Sequence, residues 1–494
     1  MYRKRRKQEV FSGYKGLESR RPDLTQDHPE GRKPGAQKGA EKMKKRERAN
    51  WADPNTTAEN ERLPHWFKWV WSGNAVAFSL NFLLMAQITY YCTDMLGMPA
   101  ATVGMLLLVS KVFDAFTDVC AGYIIDRTNT RWGKARPYDI FMALTWLCTV
   151  LLFSTPNFGM TGKCIYVFLL YTLTNSVCCT FSNIGGGIYL KRAIRSEKNR
   201  VSVVSFQGAL LMIFSIAVGI LMPQLIATIG TTKSGWTLIA LFYAVPLSII
   251  GTLRMFFIPE VNTAEEEETK ENTKVSIGEV VSALFRNRLI VLLAIMVVAY
   301  QMISTANGLT YYFKWIFGDI GLASLLGLAS FIIPVVLIFI PALIGKLGTS
   351  KLMVAGMALN LVGCVLRMIF PYSLPALMLA QVLTLVGVLP VSSLLTIYVL
   401  ECMDYGRRKS GINIDGVTNA VSGFAMKVGS ALGSAFMGFM MGASGYISDP
   451  TAVSQPDSAL SMIRFMFATL PVIFAVITLA AAWFYGKTKE AAAM

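Results

Sequence analysis

Lys111, Asp114, Thr117 and Asp118 fall within K-V-F-D-A-F-T-D, inside a run that is otherwise apolar. On a helix the lysine and the two aspartates are three and four residues apart, so they share one face. A charge at the centre of a bilayer costs about 2.5–3.5 kcal/mol on insertion scales, and two adjacent carboxylates also repel each other. A cavity, a counter-charge or a bound cation relieves that arrangement. In one reading Asp114 and Asp118 share Na⁺, Li⁺ or H⁺, with the Thr117 hydroxyl nearby. In the other they form a static ion pair with Lys111 or with a cation on another helix. A second intramembrane cation, Lys427 in G-F-A-M-K-V-G-S, weighs against a purely static pair. If it reaches the aspartates, one cation and two anions can exchange partners, and ion occupancy can then be coupled to movement of the segments that carry them.

The rest of the chain offers little other chemistry. Its two histidines, His28 and His65, precede the first long apolar run, and no HExxH or GxSxG motif stands in such a run. The eight cysteines show no repeated metal-ligand spacing and read as small apolar packing residues. An enzyme is therefore not expected, nor a cofactor, and Na⁺ or H⁺ enters only as a coupling ion.

The elements that position these charges follow from composition. The 494 residues are 54% hydrophobic and 15% charged, with a mean hydropathy of +0.49, which excludes a water-soluble fold. Twelve stretches of about 20 apolar residues, the length that crosses a bilayer, run from Val70–Tyr91 to Ala459–Tyr485. They are too long and too continuous for barrel strands, so the expected class is an all-α polytopic membrane protein. Six spans on each side of an acidic linker imply two pseudo-symmetric six-helix bundles with a binding site between them at mid-membrane depth.

The expected division is a basic disordered tail (1–64), a first bundle (65–258), a linker with an amphipathic segment (259–287), a second bundle (288–486) and a short tail (487–494). No function is assigned to the linker's acidic run. Lys and Arg concentrate in alternate connections, which places both termini on the cytoplasmic side. The formal charge of +16 is not a nucleic-acid signal: residues 1–49 hold 16 Lys/Arg against seven Asp/Glu, and such a tail meets anionic lipid headgroups. Its start has no apolar core after the basic run, so a cleavable signal peptide is not expected.

After the second span, Gly122, Asp126, Arg127, Arg131, Gly133, Lys134 and Arg136 give the spacing G-x₃-D-R-x₃-R-x-G-K-x-R. This resembles the signature of the major facilitator superfamily, in which such residues form a cytoplasmic latch between the two halves. Three stretches carry a narrower resemblance: K-V-F-D-A-F-T-D through Tyr138, L-E-C-M-D-Y-G-R-R-K-S through Tyr446, and Y-Y-C-T-D-M-L-G-M at the end of the first span. They are similar to the glycoside–pentoside–hexuronide:cation symporters, and the similarity covers about Trp66 to Tyr485. It implies that Asp114 and Asp118 are the cation-site carboxylates and Lys111 the basic residue just before them. It also implies that Lys427 lies between the cation and sugar sites and that Thr172 supplies a hydroxyl to the cation.

The sugar side departs from that family. Its two sugar-gripping acids fall on Phe78 and Asn175, its aromatic one turn later on Cys179, and its fifth-helix arginine on Arg200 or, with a shift, on Gln207. The resemblance implies a cation-coupled sugar symporter that acts by alternating access, as a monomer, in a bacterial plasma membrane. Its cargo would be a glycoside, pentoside or hexuronide. A lysolipid cargo on the same fold, or a non-transporting sensor, are the alternatives.

Overall fold

A computed structural model describes residues 50–53, 56–128, 130–261, 287–306, 308–410 and 415–493. Apolar runs of this length have only their own backbone to bond to, and they form helix with no strand among the described residues. In chain order the helices are α1 (His65–Met95), α2 (Ala100–Arg127), α3 (Ile140–Leu152), α4 (Met160–Ala193), α5 (Glu197–Thr228), α6 (Lys233–Phe257), α7 (Arg288–Phe317), α8 (Ile320–Ile369), α9 (Leu374–Ser410), α10 (Asp415–Ala443) and α11 (Asp457–Ala491). Nine helices among the described residues are long and apolar enough to cross a membrane. α2, which carries the lysine and the aspartates, and the short α3 are not among the nine. The eighth and ninth expected spans are joined in α8, where Gly348 breaks the run at φ +75°.

Local chemistry sets several boundaries. Thr232 caps α6 by accepting from the Gly235 N–H at 3.1 Å, and Asn287 caps α7 by accepting from the Ile290 N–H at 3.2 Å. π turns interrupt α1 at Tyr91–Met95, α4 at Leu173–Cys178 and α7 at Phe313–Phe317. Each inserts an extra residue and re-aims the side chains that follow. These three turns carry Asp94, Asn175 and Lys314.

Both termini differ from expectation. The tail predicted up to residue 64 is folded against the first bundle from Asn50 onward, because it has an apolar anchor and a buried acid. Trp51 packs edge-on against Phe67 at 5.1 Å. Glu61 accepts from the Arg195 and Ser196 N–H groups, each at 2.9 Å. At the other end α11 runs on through the expected tail, whose Lys, Glu and Ala residues favour helix. Lys489 ties it to Glu401 at 2.7 Å. Residues 1–49 and most of the linker lie outside the described residues.

In the first bundle α1 packs on α5 and α6, α3 on α6, and α2 on α4; in the second, α7 packs on α10 and α11, and α8 on α9 and α11. The bundles meet along two seams, α2 with α10 and α5 with the start of α8. Outward-facing apolar side chains such as Ile338 (75% exposed), Trp69 (61%) and Phe242 (60%) suit a lipid environment. On the α2–α10 seam, a Cβ on Gly438 would lie 2.5 Å from the Gly104 Cα, so only hydrogen fits at that crossing.

The two ends of the seam differ. At the end away from the basic connections, one apolar core draws on both bundles, from Val103 and Trp236 to Tyr312, Met441 and Phe467. At the basic end each bundle has its own core, around Trp71 and Tyr189 in one and around Tyr398 and Tyr485 in the other. The joined end also carries an ion pair between bundles. Lys314 meets Asp94 at 2.5 Å, and Asp94 accepts from the Tyr446 hydroxyl at 2.9 Å and from Thr93 at 2.7 Å. Asp94 is buried and Lys314 is partly exposed, so the pair is worth less than the 3–5 kcal/mol or so of a fully buried one. Lys314→Met should raise by about tenfold, or about 1.4 kcal/mol, the rate at which an impermeant thiol reagent reaches a cysteine placed at Gln87 from that end, native cysteines being replaced. An unchanged rate would show that the bridge does not hold this end shut.

Candidate cation and substrate site

The α2–α10 seam brings Lys427 onto both aspartates. Its Nζ lies 3.1 Å from Asp114 Oδ2 and is also paired with Asp118 Oδ2. On the opposite side of the carboxylates, the Thr180 hydroxyl of α4 stands 3.0 Å from Asp118 Oδ1 and 3.3 Å from Asp114 Oδ1. The three helices therefore converge on one pair of carboxylates. Asp114 is buried with its side chain 6% exposed, while Asp118 is 36% and Lys427 41% exposed. One carboxylate is thus fixed in the protein and the other, with its lysine, can reach the space between the bundles.

Thr180 was not visible as a site residue in the sequence. The available signal was a hydroxyl at every fourth position, Thr172, Ser176 and Thr180, a stripe that faces α2. Thr172 donates to Ser110 Oγ at 3.0 Å and Ser176 to the Ser110 carbonyl at 3.1 Å. Thr172 therefore touches α2 one turn before Asp114 and not the carboxylates. Thr117 donates to the Phe113 and Asp114 carbonyls of its own helix. Lys111 pairs with neither aspartate and faces a cavity between the bundles.

That cavity has a volume of about 490 Å³ and draws on α1, α2 and α4 from one bundle and α7 and α10 from the other. Gln87, Lys111, Asn175, Gln301, Thr305 and Ser430 supply polar groups, and Tyr90, Tyr171 and Tyr311 supply ring faces. Of the five sequence candidates for the sugar, Asn175 lines it. Phe78 packs into the shared core instead. Cys179, half-buried, stands beside Lys111, Asp114 and Lys427 without lining the cavity, Gln207 is half-buried away from it, and Arg200 sits in the first turn of α5, donating to the Arg195 carbonyl at 3.0 Å. Gln301 was missed as a lining group.

The G-x₃-D-R loop takes a partner that the sequence did not reveal. Glu260, at the start of the acidic linker, accepts from the N–H groups of Lys134, Ala135 and Arg136 at 3.0, 2.8 and 2.7 Å and pairs with Arg192 at 2.6 Å. Gly133, at φ +118°, makes room for it, since a Cβ there would lie 2.4 Å from the Glu260 carboxyl carbon. Arg136 donates to the Met255 and Phe256 carbonyls, and Arg127 stacks on Tyr123 at 4.2 Å. Gly122 has open space around it and Arg131 is exposed. These bonds join the loop to α4, to the end of α6 and to the start of the linker, and the Asp126 side chain lies outside the described residues.

Carboxylates bridged by a lysine beside a cavity between two helical bundles are the parts of a solute carrier. Residues 72–489 match the family described as MFS/sugar transport protein. The chain belongs to that family. It is the glycoside–pentoside–hexuronide:cation symporter family that the sequence resembles, and the chain is an integral membrane transporter of it. The isoprimeverose transporter of Lactiplantibacillus pentosus is 26% identical over 447 residues, which cover 88% of this chain and 91% of that protein. The glucuronide carrier protein homolog of Escherichia coli (strain K12) is 26% identical, over 84% of this chain and 90% of its own length. The fold is shared with the crystal structure of a D-xylose-proton symporter, at a TM-score of 0.59 and 11% identity over 83% of this chain and 96% of that one. It is shared as well with an inward-facing, unoccupied bacterial homolog of the human lysosomal transporter Spinster, at 0.58 and 14% over 87% and 98%.

Thr180 gives the site its test. Thr180→Val removes the hydroxyl but keeps the shape, and a hydrogen bond to a charged group is worth roughly 1.5–3 kcal/mol. The cation concentration for half-maximal uptake should rise about tenfold or more, with Thr180→Ser close to wild type. Equal values for all three would remove Thr180 from the site.

Proposed function

We propose that the protein is a cation-coupled sugar symporter in which Asp114, Asp118 and Thr180 bind Na⁺ or H⁺ and the adjoining cavity binds the sugar. The observation that carries this reading is the position of Lys427. It is held by both carboxylates across the seam between the bundles, one turn of α10 before Ser430 of the cavity wall. A coupling cation competes with Lys427 for the same oxygens. Once displaced, the ammonium no longer ties α10 to α2, so ion occupancy biases the relative position of the two halves.

The cavity volume lies within the range of about 300–1,000 Å³ typical of small-molecule sites, and its amide, hydroxyl and ring groups suit a mono- or disaccharide. Relatives named for isoprimeverose and for glucuronide support a sugar as cargo. In this reading the chain crosses twelve times, and the charge asymmetry of the connections supports a cytoplasmic basic end and cytoplasmic termini. In that orientation the separate cores at the basic end and the Asp94–Lys314 bridge at the other describe an inward-facing state.

The reading is tested by reconstituting the full chain in proteoliposomes and measuring uptake of a sugar panel under imposed Na⁺ or H⁺ gradients. Wild type should accumulate at least one sugar with one of the two cations. Asp118→Asn, which leaves Lys427 a single acidic partner, should lose accumulation by about tenfold or more, the scale of one hydrogen bond to a charged group. Accumulation that persists after both gradients collapse would refute coupling.

A further inference from the structure

Arg367 is a buried charge that the cation and cargo sites do not use. It lies in the last turn of α8, is 5% exposed and does not line the cavity between the bundles. Burying a guanidinium is costly unless an anion or several acceptors replace its water. Arg367 has one hydrogen bond among the described residues, from Nη2 to Gln381 Oε1 of α9 at 2.8 Å, and its guanidinium stands over the Phe467 ring at 4.9 Å. Its Nε is buried with no hydrogen-bond partner. The groups that act on it electrostatically are the Cys364 thiol and the Tyr312 hydroxyl, side chains that carry no charge near pH 7 in their ordinary range. No described Asp or Glu forms an ion pair with it.

The surroundings deepen the shortage of acceptors. Asn360, seven residues earlier and on the same face of α8, is 1% exposed; its Oδ1 accepts from the Cys364 thiol at 3.8 Å, while its Nδ2 has no partner. Both unpaired atoms are therefore donors. A second arginine, Arg464 of α11, acts on the same Tyr312. Arg464 donates to the Tyr372 hydroxyl at 2.8 Å and to the Leu460 carbonyl at 3.4 Å, and no described acid pairs with it either. A water would bring two further donors into this surplus. An anion brings acceptors alone and cancels the charge. The depth of Arg367 limits that anion to a small one, and Tyr372, 59% exposed in the turn between α8 and α9, marks the solvent end of the cluster.

We propose that Arg367 binds a small monovalent inorganic anion, of which chloride is the type, inside the second bundle and apart from the cation and cargo sites. Phe467, which contacts the guanidinium, also stacks on Tyr312 at 4.0 Å. The bound ion thus steadies the aromatic packing of the joined end.

The test uses the purified full chain in detergent, with sodium chloride or sodium gluconate at equal sodium concentration and ionic strength, and reads the melting temperature. Chloride should raise it by about 2–4 °C, and the rise should grow with the logarithm of chloride concentration once the site fills, as for any ligand of the folded state alone. Bromide should replace chloride, and diffraction from crystals grown in bromide should give an anomalous peak within hydrogen-bonding reach of Arg367 Nε. Arg367→Met, which keeps the length of the side chain but not its charge, should melt alike in the two salts. Equal melting of wild type in both salts overturns the proposal without recourse to a variant. A full chloride effect in Arg367→Met also overturns it, as do bromide crystals with no peak at Arg367. No cargo or gradient enters these measurements, so their failure leaves the symporter reading untouched.

Discussion

The structure depends on two carboxylates, one turn apart on α2, sharing a single ammonium from α10. Neither partner is tolerable alone at that depth: the aspartates repel, and an unpaired lysine is expensive in a poorly solvated interface. The need to pair them dictates the rest of the seam. Lys427 reaches both acids only if α2 and α10 lie close together, and the crossing of Gly104 with Gly438, where a Cβ would lie 2.5 Å from backbone, permits it. α4 closes the third side with the Thr180 hydroxyl. Because Lys427 and Asp118 are both more than a third exposed, solvent weakens the bridge and keeps it exchangeable.

The same constraint explains why the two ends of the molecule differ. A seam that is pinned by the Lys427 bridge between its two ends favours closing one end while the other opens. On the joined side, buried aromatics from both bundles merge into one core, and Asp94 with Lys314 adds an ion pair between them. On the basic side, charged groups that could reach across are instead satisfied at home. Glu260 collects three backbone N–H groups and Arg192, while Asp139 and Arg254 form a buried bidentate pair at 2.7 and 2.6 Å inside the first bundle. The second bundle does likewise with Glu401 and Lys489. These described charges find their partners within their own half.

The sequence makes the fold class legible because lipid imposes one rule on every span. It also exposes Lys111, Asp114, Asp118 and Lys427, since a charge in an apolar run stands out without knowledge of the fold. Thr180, Glu260 and the Asp94–Lys314 pair are not legible in that way. A threonine in a span is ordinary, and its role comes from the face that α4 turns toward α2 after a π turn that no 3.6-residue period anticipates. Glu260 opens an acidic stretch whose other residues read as solvated charge, and the positive φ of Gly133 that receives it is a tertiary demand. Asp94 and Lys314 lie 220 residues apart, and only the pseudo-symmetric placement of two π turns brings them together. The tail boundary failed for a related reason: Trp51 and Glu61 are too few to show as an apolar pattern, yet they suffice once Phe67 and the α4–α5 turn are in place.

The cation side and the substrate side differ in how tightly the fold constrains them. The carboxylates, Lys427 and Thr180 satisfy one another, so changing any one leaves a buried charge or polar group without its partner. The cavity wall has no such closure. Gln87 accepts from Thr310 at 2.9 Å and Asn175 donates to the Tyr171 carbonyl at 3.2 Å, and each keeps further hydrogen-bonding capacity for a ligand. Positions such as Phe78 can leave the wall altogether and join the core. A scaffold of this kind can hold its ion chemistry constant while its cargo changes. Lys111, on the same helix as the carboxylates and facing the cavity, is the residue on both sides of that boundary.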